Sequence, residues 1–276
     1  MVCSRVRLEE KRLQVALRDR GAHVERIDVR GLIMDADNTK ERAFHAVLMR
    51  CIGHSSATYV ARLLEQHGVR VINTSAAIHT CGDKAITSTT LQRAGLPIPE
   101  TALAFSAAGV QAAADRLSYP LVLKPCIGSW GRYVARIADP ESLASQIEIR
   151  AAIAAEPFYL QAYLPQDGYD VRAMVVGNET ICAIRRCASS WIFNTARGAI
   201  ARTLDIPPEL DALARAVAQA VSGEIVAVDF LQDASGAFLV NEVNHTPEFH
   251  GATTATAVDI AGRMADYTLS VAEEAR

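Results

Sequence analysis

The chain has 276 residues, half of them hydrophobic, which is ample for a buried core and excludes a disordered polymer. A net charge of −3 and a pI near 6.2 leave no electrostatic footprint for nucleic acid or an anionic membrane, so any polyanion must be met locally. The charged opening MVCSRVRLEEKR lacks an apolar h-region and no run of about 18 apolar residues occurs, which predicts neither export nor a membrane span.

In chain order, a short strand (1–6), an amphipathic helix (9–20) stopped by Gly21 and a strand (23–29) begin a parallel sheet. A strand at 46–49, a helix over 58–67 capped by Ser55 or Ser56 and ended by Gly68, and a buried strand at 69–73 continue a small open α/β domain, residues 1–82. No GxGxxG turn follows its first strand, so a dinucleotide site has no support. Asp83 then caps a helix over 84–94, ended by Gly95, and the prolines of LPIPE enforce an extended linker. Strand 101–105, a helix capped by Ser106, strands 121–124 and 133–137, a helix with Asp139 as cap and Pro140 in its first turn, and strand 158–163 predict a βαββαβ lobe within 83–163. The last part, 164–276, reads as longer strands at 171–176 and 180–187, a polar loop, an alanine-rich helix after Pro208, a hairpin, and a closing helix from about 257. Six cysteines (Cys3, Cys51, Cys81, Cys126, Cys182, Cys187) without a CxxC pair or metal-ligand spacing are expected to be buried reduced thiols, a usage that fits the cytosol.

The hairpin, within 226–249, concentrates oxygen ligands. Glu242 and Asn244 are two apart in an apolar run and leave one strand face together; Asp229 lies on the neighbouring strand. If 233–236 is the turn, Asp229 falls opposite Val240 or Asn241, a diagonal step from Glu242. Hard oxygens with coordination places left open suit Mg²⁺ in a nucleotide site, although a hairpin with a wet polar face carries the same residue types. Lys124 ends the apolar run LVLKP, and Gly128 and Gly131 behind it let backbone N–H groups close over phosphates; a plain turn with a solvated lysine is the other reading. No GK[ST] follows, so this is not a Walker A loop. Lys84, in GDKAIT, gains meaning only beside Lys124. Arg172, Arg185 and Arg186 interrupt apolar strands, where guanidinium groups suit a phosphate or carboxylate, and of the adjacent pair 185/186 one points each way. Asn194, Thr195 and Arg197 add donors on a nearby loop. The histidines show no HExxH pattern, His245 and His250 alone flanking the acidic hairpin, and there is no GxSxG elbow for serine hydrolysis.

CGDK, VLKPCIGSWGR, FYLQAYL, YDVRAMVVG, AIRRCASSWIFNTARG, VAVDF and VNEVNHTPEF, in that order and over nearly the whole chain, resemble the ATP-grasp carboxylate-amine ligases, most closely the LysX type of the RimK-like group. The resemblance implies an α/β fold: a Rossmann-like pre-ATP-grasp domain followed by two ATP-grasp lobes that grip ATP, 83–163 with the phosphate loop and 164–276 with the Mg²⁺ and substrate site. It implies that Lys84, Lys124 and the loop Gly128, Ser129, Trp130, Gly131 and Arg132 hold phosphates, and that Gln161, Ala162 and Tyr163 meet adenine. Asp229, Glu242 and Asn244 would ligate Mg²⁺. Arg172, Arg186 and Asn194 would serve the acyl phosphate and acceptor, with Arg185, Thr195, Arg197, Glu248, Phe249 and His250 near the substrate.

The implied reaction activates the C-terminal glutamate of a small acidic amino-group carrier protein and joins it to the α-amine of 2-aminoadipate, glutamate or a related amino acid. Members of this type form homo-oligomers, dimers or tetramers. A RimK-type ligase adding glutamate to a protein tail, and a nucleotide-binding protein without catalysis, are the alternatives. Two positions depart from the family: Ala162 stands where Glu often follows the hinge glutamine, leaving main-chain contacts to adenine, and His250-Gly251 replaces Lys-Asn. Residues 248–251 are therefore expected to carry the choice of amino acid.

Overall fold

The structure is a computed structural model that describes residues 1–34, 44–128, 131–153, 157–193 and 198–275. The chain opens with β1 (Val2–Cys3), α1 (Leu8–Asp19), β2 (Ile27–Asp28), β3 (Val47–Arg50), α2 (His54–Gln66) and β4 (Val71–Ile72), a parallel sheet in the order β2-β1-β3-β4. Next come α3 (Ser75–Gly82) and α4 (Lys84–Arg93). The segments β5 (Thr101–Ala104), α5 (Ala107–Leu117), β6 (Leu121–Pro125), β7 (Ala135–Ile137), α6 (Pro140–Ile153) and β8 (Phe158–Ala162) form an antiparallel sheet in the order β5-β8-β6-β7. A larger antiparallel sheet, β11-β10-β9-β12-β13, is built from β9 (Tyr169–Val176), β10 (Glu179–Cys187), β11 (Ile200–Leu204), β12 (Ile225–Gln232) and β13 (Phe238–Asn244). Helix α7 (Pro208–Ala220) lies between β11 and β12, and α8 (His250–Thr256) and α9 (Ile260–Glu274) close the chain.

Strand alternation decides which side chains meet. Val171, Ala173, Val175, Ala183, Val226, Val228 and Phe230 pack with α7, while Met174, Val176, Cys182, Ile184, Ile225 and Ala227 pack with α9 and with Leu13, Leu17, Leu48 and Ile72. Asp170, Arg172, Arg186 and Asp229 have the parity of this second set, so they continue the face that looks toward the parallel sheet.

Side-chain caps explain the boundaries that were legible. Asp83 accepts from Ala85 N and Ile86 N, Ser106 from Gly109 N, and Asp139 from Ser142 N. Other expectations need correction. Helix α2 begins at His54 with Gly53 as N-cap and no side-chain bond, so Ser55 and Ser56 lie inside its first turn. The strand expected at 23–29 is confined to Ile27–Asp28, and the closing helix starts at Ile260. Helices α3 and α8 and strand β11 were not anticipated. Asp229 pairs with Glu242 rather than with Val240 or Asn241, because a bulge interrupts the ladder and Phe230 pairs with Val240. All six cysteines are free, five buried and Cys187 half-buried.

Candidate active site

A cleft of about 650 Å³ opens where the three sheets face one another. From the parallel-sheet side come Arg7, Gly53 and His54; from α4, β6 and β8 come Lys84, Lys124 and Gln161; from the large sheet come Arg172, Arg186, Asp229, Glu242 and Asn244. Asp83 caps α4 and thereby presents Lys84, whose backbone N donates to Cys126 O at 2.9 Å. The Lys84 Nζ donates to Gly128 O at 3.0 Å and stands 3.5 Å from Glu242. Gly128 thus contributes its carbonyl there, and a Cβ on it would approach Pro125 Cγ to 2.9 Å, so a side chain at this close turn would require the proline ring to shift.

Lys124, the last but one residue of β6, donates to Gln161 Oε1 (2.7 Å) and Asn241 Oδ1 (2.8 Å). Asn241 is the unpaired residue of the bulge, which re-aims its side chain into the cleft. Burial lowers the Lys124 pKa to about 8, against the attraction of Glu242 and with Lys84 adding to the depression. Two buried ammonium groups thus share essentially one neighbouring carboxylate, a deficit that an anion would fill.

On the large sheet the charges alternate. Arg172 grips Asp229 with Nε at 2.7 Å and Nη2 at 2.8 Å, and Arg186 reaches Asp229 at 3.1 Å while forking onto Asp170 through Nε at 2.7 Å and Nη2. Burial would raise the Asp229 pKa, but Arg172 and Arg186 outweigh it and hold the carboxyl below its ordinary value. Burial likewise works against the Arg186 cation, and Asp229 and Asp170 more than compensate. Asn244 lies 3.4 Å from Asp229. Asp229, Glu242 and Asn244 are two carboxylates and one amide on a single face, a hard donor set that fits Mg²⁺. Glu242 is the member with oxygens to spare, since both Asp229 oxygens meet guanidinium groups. Among the described residues no cluster of three or more His, Cys, Asp or Glu side chains could hold a metal.

At the hinge, Gln161, Ala162 and Tyr163 line the cleft, yet Ala162 N donates to Glu100 O (2.8 Å) and Tyr163 N to Pro120 O (3.3 Å). Both backbone N–H groups are thus engaged within the protein in this arrangement. The Tyr163 ring lies under the Arg136 guanidinium at 4.8 Å and meets Trp191 edge-on at 6.1 Å. Gly131 and Arg132 border the cleft, as does Glu248.

Three expected residues are not brought there. Arg185 is exposed on the opposite face of β10, stacked over Tyr169 at 4.9 Å, which makes Arg186 the inward member of the pair. Phe249 is fully buried beneath Arg50, and His250 begins α8 with its backbone N on Glu9 (3.2 Å). Ser129, Trp130, Asn194, Thr195 and Arg197 lie outside the described residues. Sequence reasoning missed Arg7, His54, Asp170 and Asn241. For Asp170 the spacing to Arg172 was an available signal; His54, with a buried Nδ1 that has no hydrogen-bond partner among the described residues, offered none. His245 is buried and its pKa falls to about 4 through burial, with His54 and Arg50 adding to the shift, so it is neutral.

A family model for the RimK-like ATP-grasp domain matches residues 81–268, and one for the LysX preATP-grasp domain matches residues 1–80. The chain is 31% identical over 267 residues to the glutamate–LysW ligase ArgX of Sulfurisphaera tokodaii, covering 95% of this chain and 94% of that one. It is 33% identical over 207 residues to the α-aminoadipate–LysW ligase LysX of the same organism, covering 74% and 73%. Among solved structures, a RimK domain ATP-grasp protein from Sphaerobacter thermophilus superposes with a TM-score of 0.83 at 26% identity, covering 97% of this chain and 99% of that one.

Proposed function

The chain belongs to the RimK-like ATP-grasp family, and from that premise we propose that it joins the α-amine of an amino acid to the C-terminal glutamate of a small acidic carrier protein, at the expense of ATP. The observation that carries the reading is the pair of buried lysines, Lys84 and Lys124, facing Glu242 of β13 and Asp229 of β12 across one cleft. The LysW ligases among the relatives support the carrier as partner, with glutamate and α-aminoadipate as candidate amino acids.

Lys84 and Lys124 meet the phosphates of ATP. The neutral amides that hold Lys124 orient its ammonium group without cancelling its charge. The carrier carboxylate attacks the γ-phosphorus, giving an acyl phosphate and ADP; the amine then attacks the acyl carbon and phosphate leaves. Arg172 and Arg186 each retain N–H donors beyond those bound to aspartate, and these face the acyl phosphate oxygens. Asp229, Glu242 and Asn244 would hold Mg²⁺, which when bound neutralises charge on the phosphate oxygens. Such transfer depends on alignment and charge neutralisation, so no nucleophilic side chain is required. The amino acid's α-ammonium group loses one proton to solvent or to a phosphate oxygen before it attacks, and the nitrogen loses a second in the same way as phosphate leaves.

The test mixes the protein with ATP, a LysW-type carrier and single amino acids and weighs the carrier. A gain equal to the amino acid minus water is expected, with Glu242→Ala reducing ADP release at least a hundredfold at unchanged circular dichroism. Normal ADP release from that variant overturns the metal role, and glutamate added to a ribosomal-protein tail instead of the carrier would favour the RimK-type activity.

A further inference from the structure

Read in order, the floor strand and its tail change partners along the cleft. Asn241 meets Lys124, Glu242 meets Lys84, and Asn244 meets Asp229. Beyond β13, Thr246 Oγ1 donates to Cys51 O at 3.3 Å, and Glu248 Oε1 accepts from Arg7 Nη1 at 3.0 Å. The two ends of this line differ in their partners. At the first, Lys84, Lys124, Arg172 and Arg186 stand against Asp170, Asp229 and Glu242; around Glu248, the carboxylates of Glu10 and Glu248 pair with Arg7 and Arg50, and Glu9 accepts from His250 N.

Building on the ligase reading, we propose that Glu248 is the subsite for the α-ammonium group of the acceptor amino acid, and that Arg7 is the positioning residue that aims it. Arg7 is itself clamped from behind: its Nε and Nη2 donate to Glu10 at 3.0 and 2.8 Å. Glu10 is fully buried and shared with the equally buried Arg50 at 3.0 Å, and Arg50 donates to Pro247 O at 3.0 Å, next to Glu248. The ring of contacts therefore fixes both the guanidinium and the backbone that carries the carboxylate. One Glu248 oxygen is used; the other, on a side chain 28% exposed in the cleft wall, has no hydrogen-bond partner among the described residues. A free carboxylate oxygen matches an N–H donor, and an ammonium group supplies three.

The test uses the full chain with ATP, the carrier, and glutamate or 2-aminoadipate, whichever the wild type ligates. Glu248→Gln and Arg7→Met should each raise KM for the amino acid at least tenfold, with kcat at saturating amino acid and KM for ATP changing less than threefold. Arg7→Lys should recover part of the loss, and the double variant should be no worse than E248Q alone, because the two act as one unit. An unchanged amino-acid KM in E248Q, or additive losses in the double variant, overturns the proposal. If the wild type ligates nothing to the carrier, the ligase reading falls on that result. Calorimetry of glutamate against its des-amino analogue glutarate still decides the subsite: a preference for glutamate that E248Q erases supports it, and no preference overturns it.

Discussion

Lys124 is a buried ammonium group in the wall of the cleft. Its ammonium group is buried against two neutral amides, and burial brings its pKa to about 8, Glu242 opposing and Lys84 reinforcing the drop. Phosphate oxygens would restore the charged form, so nucleotide binding must take up a proton wherever free Lys124 has lost one. Below about pH 8 both states are protonated and affinity is flat; above it, affinity falls by up to roughly tenfold per pH unit. The expected result is a KM for ATP that rises between pH 8 and 9.5 in the wild type and stays flat in Lys124→Met, read from steady-state kinetics. A flat wild-type profile would remove Lys124 from the phosphate site. The same depression makes the unliganded fold gain stability as pH rises from about 8 toward the ordinary lysine range, because there the unfolded chain binds the extra proton.

At the scale of elements, Lys84 reaches the cleft because α4 starts where it does, and Asp83 makes that start by accepting from two backbone N–H groups. Asp83→Ala should cost about 1 kcal/mol in denaturant unfolding, the usual value of an N-cap, and should raise KM for ATP as Lys84 loosens. A midpoint unchanged within error would show that the contact between Lys84 N and Cys126 O suffices to seat the helix. Caps of this kind are written in single residues, which is why Asp83, Ser106 and Asp139 were legible in the sequence. The Gly53 cap uses no side chain and carried no such signal. The bulge at Asn241 was invisible for another reason: apolar alternation continues through it, and without it Phe230 opposite Val240 would put Asp229 opposite Asn241, as the sequence suggests. Strand β11 escaped because its burial is slight, with Ile200, Arg202 and Thr203 exposed. Within the site, Lys124 and the Asp229, Glu242 and Asn244 set stood out as polar residues in apolar runs, whereas Lys84, in GDKAIT, gained meaning only beside Lys124. Arg7 and Glu248, 241 residues apart, are paired only by tertiary structure.

Across the whole molecule, the parallel sheet has two cores: Val2, Val47, Met49, Ala57, Val60, Val71 and Ile78 form a cluster of its own, while Leu13, Leu48 and Ile72 pack in one shared cluster with Met174, Ile225, Phe249 and Met264. Where this shared core reaches the hairpin, Asn73 bridges the two sheets. Its Oδ1 accepts from Glu224 N (2.7 Å) and Ile225 N (2.9 Å), and its Nδ2 donates to Ile225 O (2.8 Å) and His245 O (2.9 Å). Asn73 is 2% exposed, so Asn73→Ala would strand backbone groups at the entrance of β12 and just past β13 where water has little access. A loss on the order of 3 kcal/mol is expected, seen as a clear drop in the thermal midpoint. Asn73→Asp should be worse near neutral pH, because its carboxylate would face two carbonyl oxygens in place of an amide donor. Arg70, paired with Glu224, and Arg50, on Pro247 O, keep the sheets joined in either variant, so the fold should survive while the seating of the hairpin tail loosens. Because that tail leads from Asn244 to Glu248, the kinetic defect of Asn73→Ala should fall on KM for the amino acid more than on KM for ATP. Equal effects on both would mean that the sheets move as one body and that Asn73 sets stability alone.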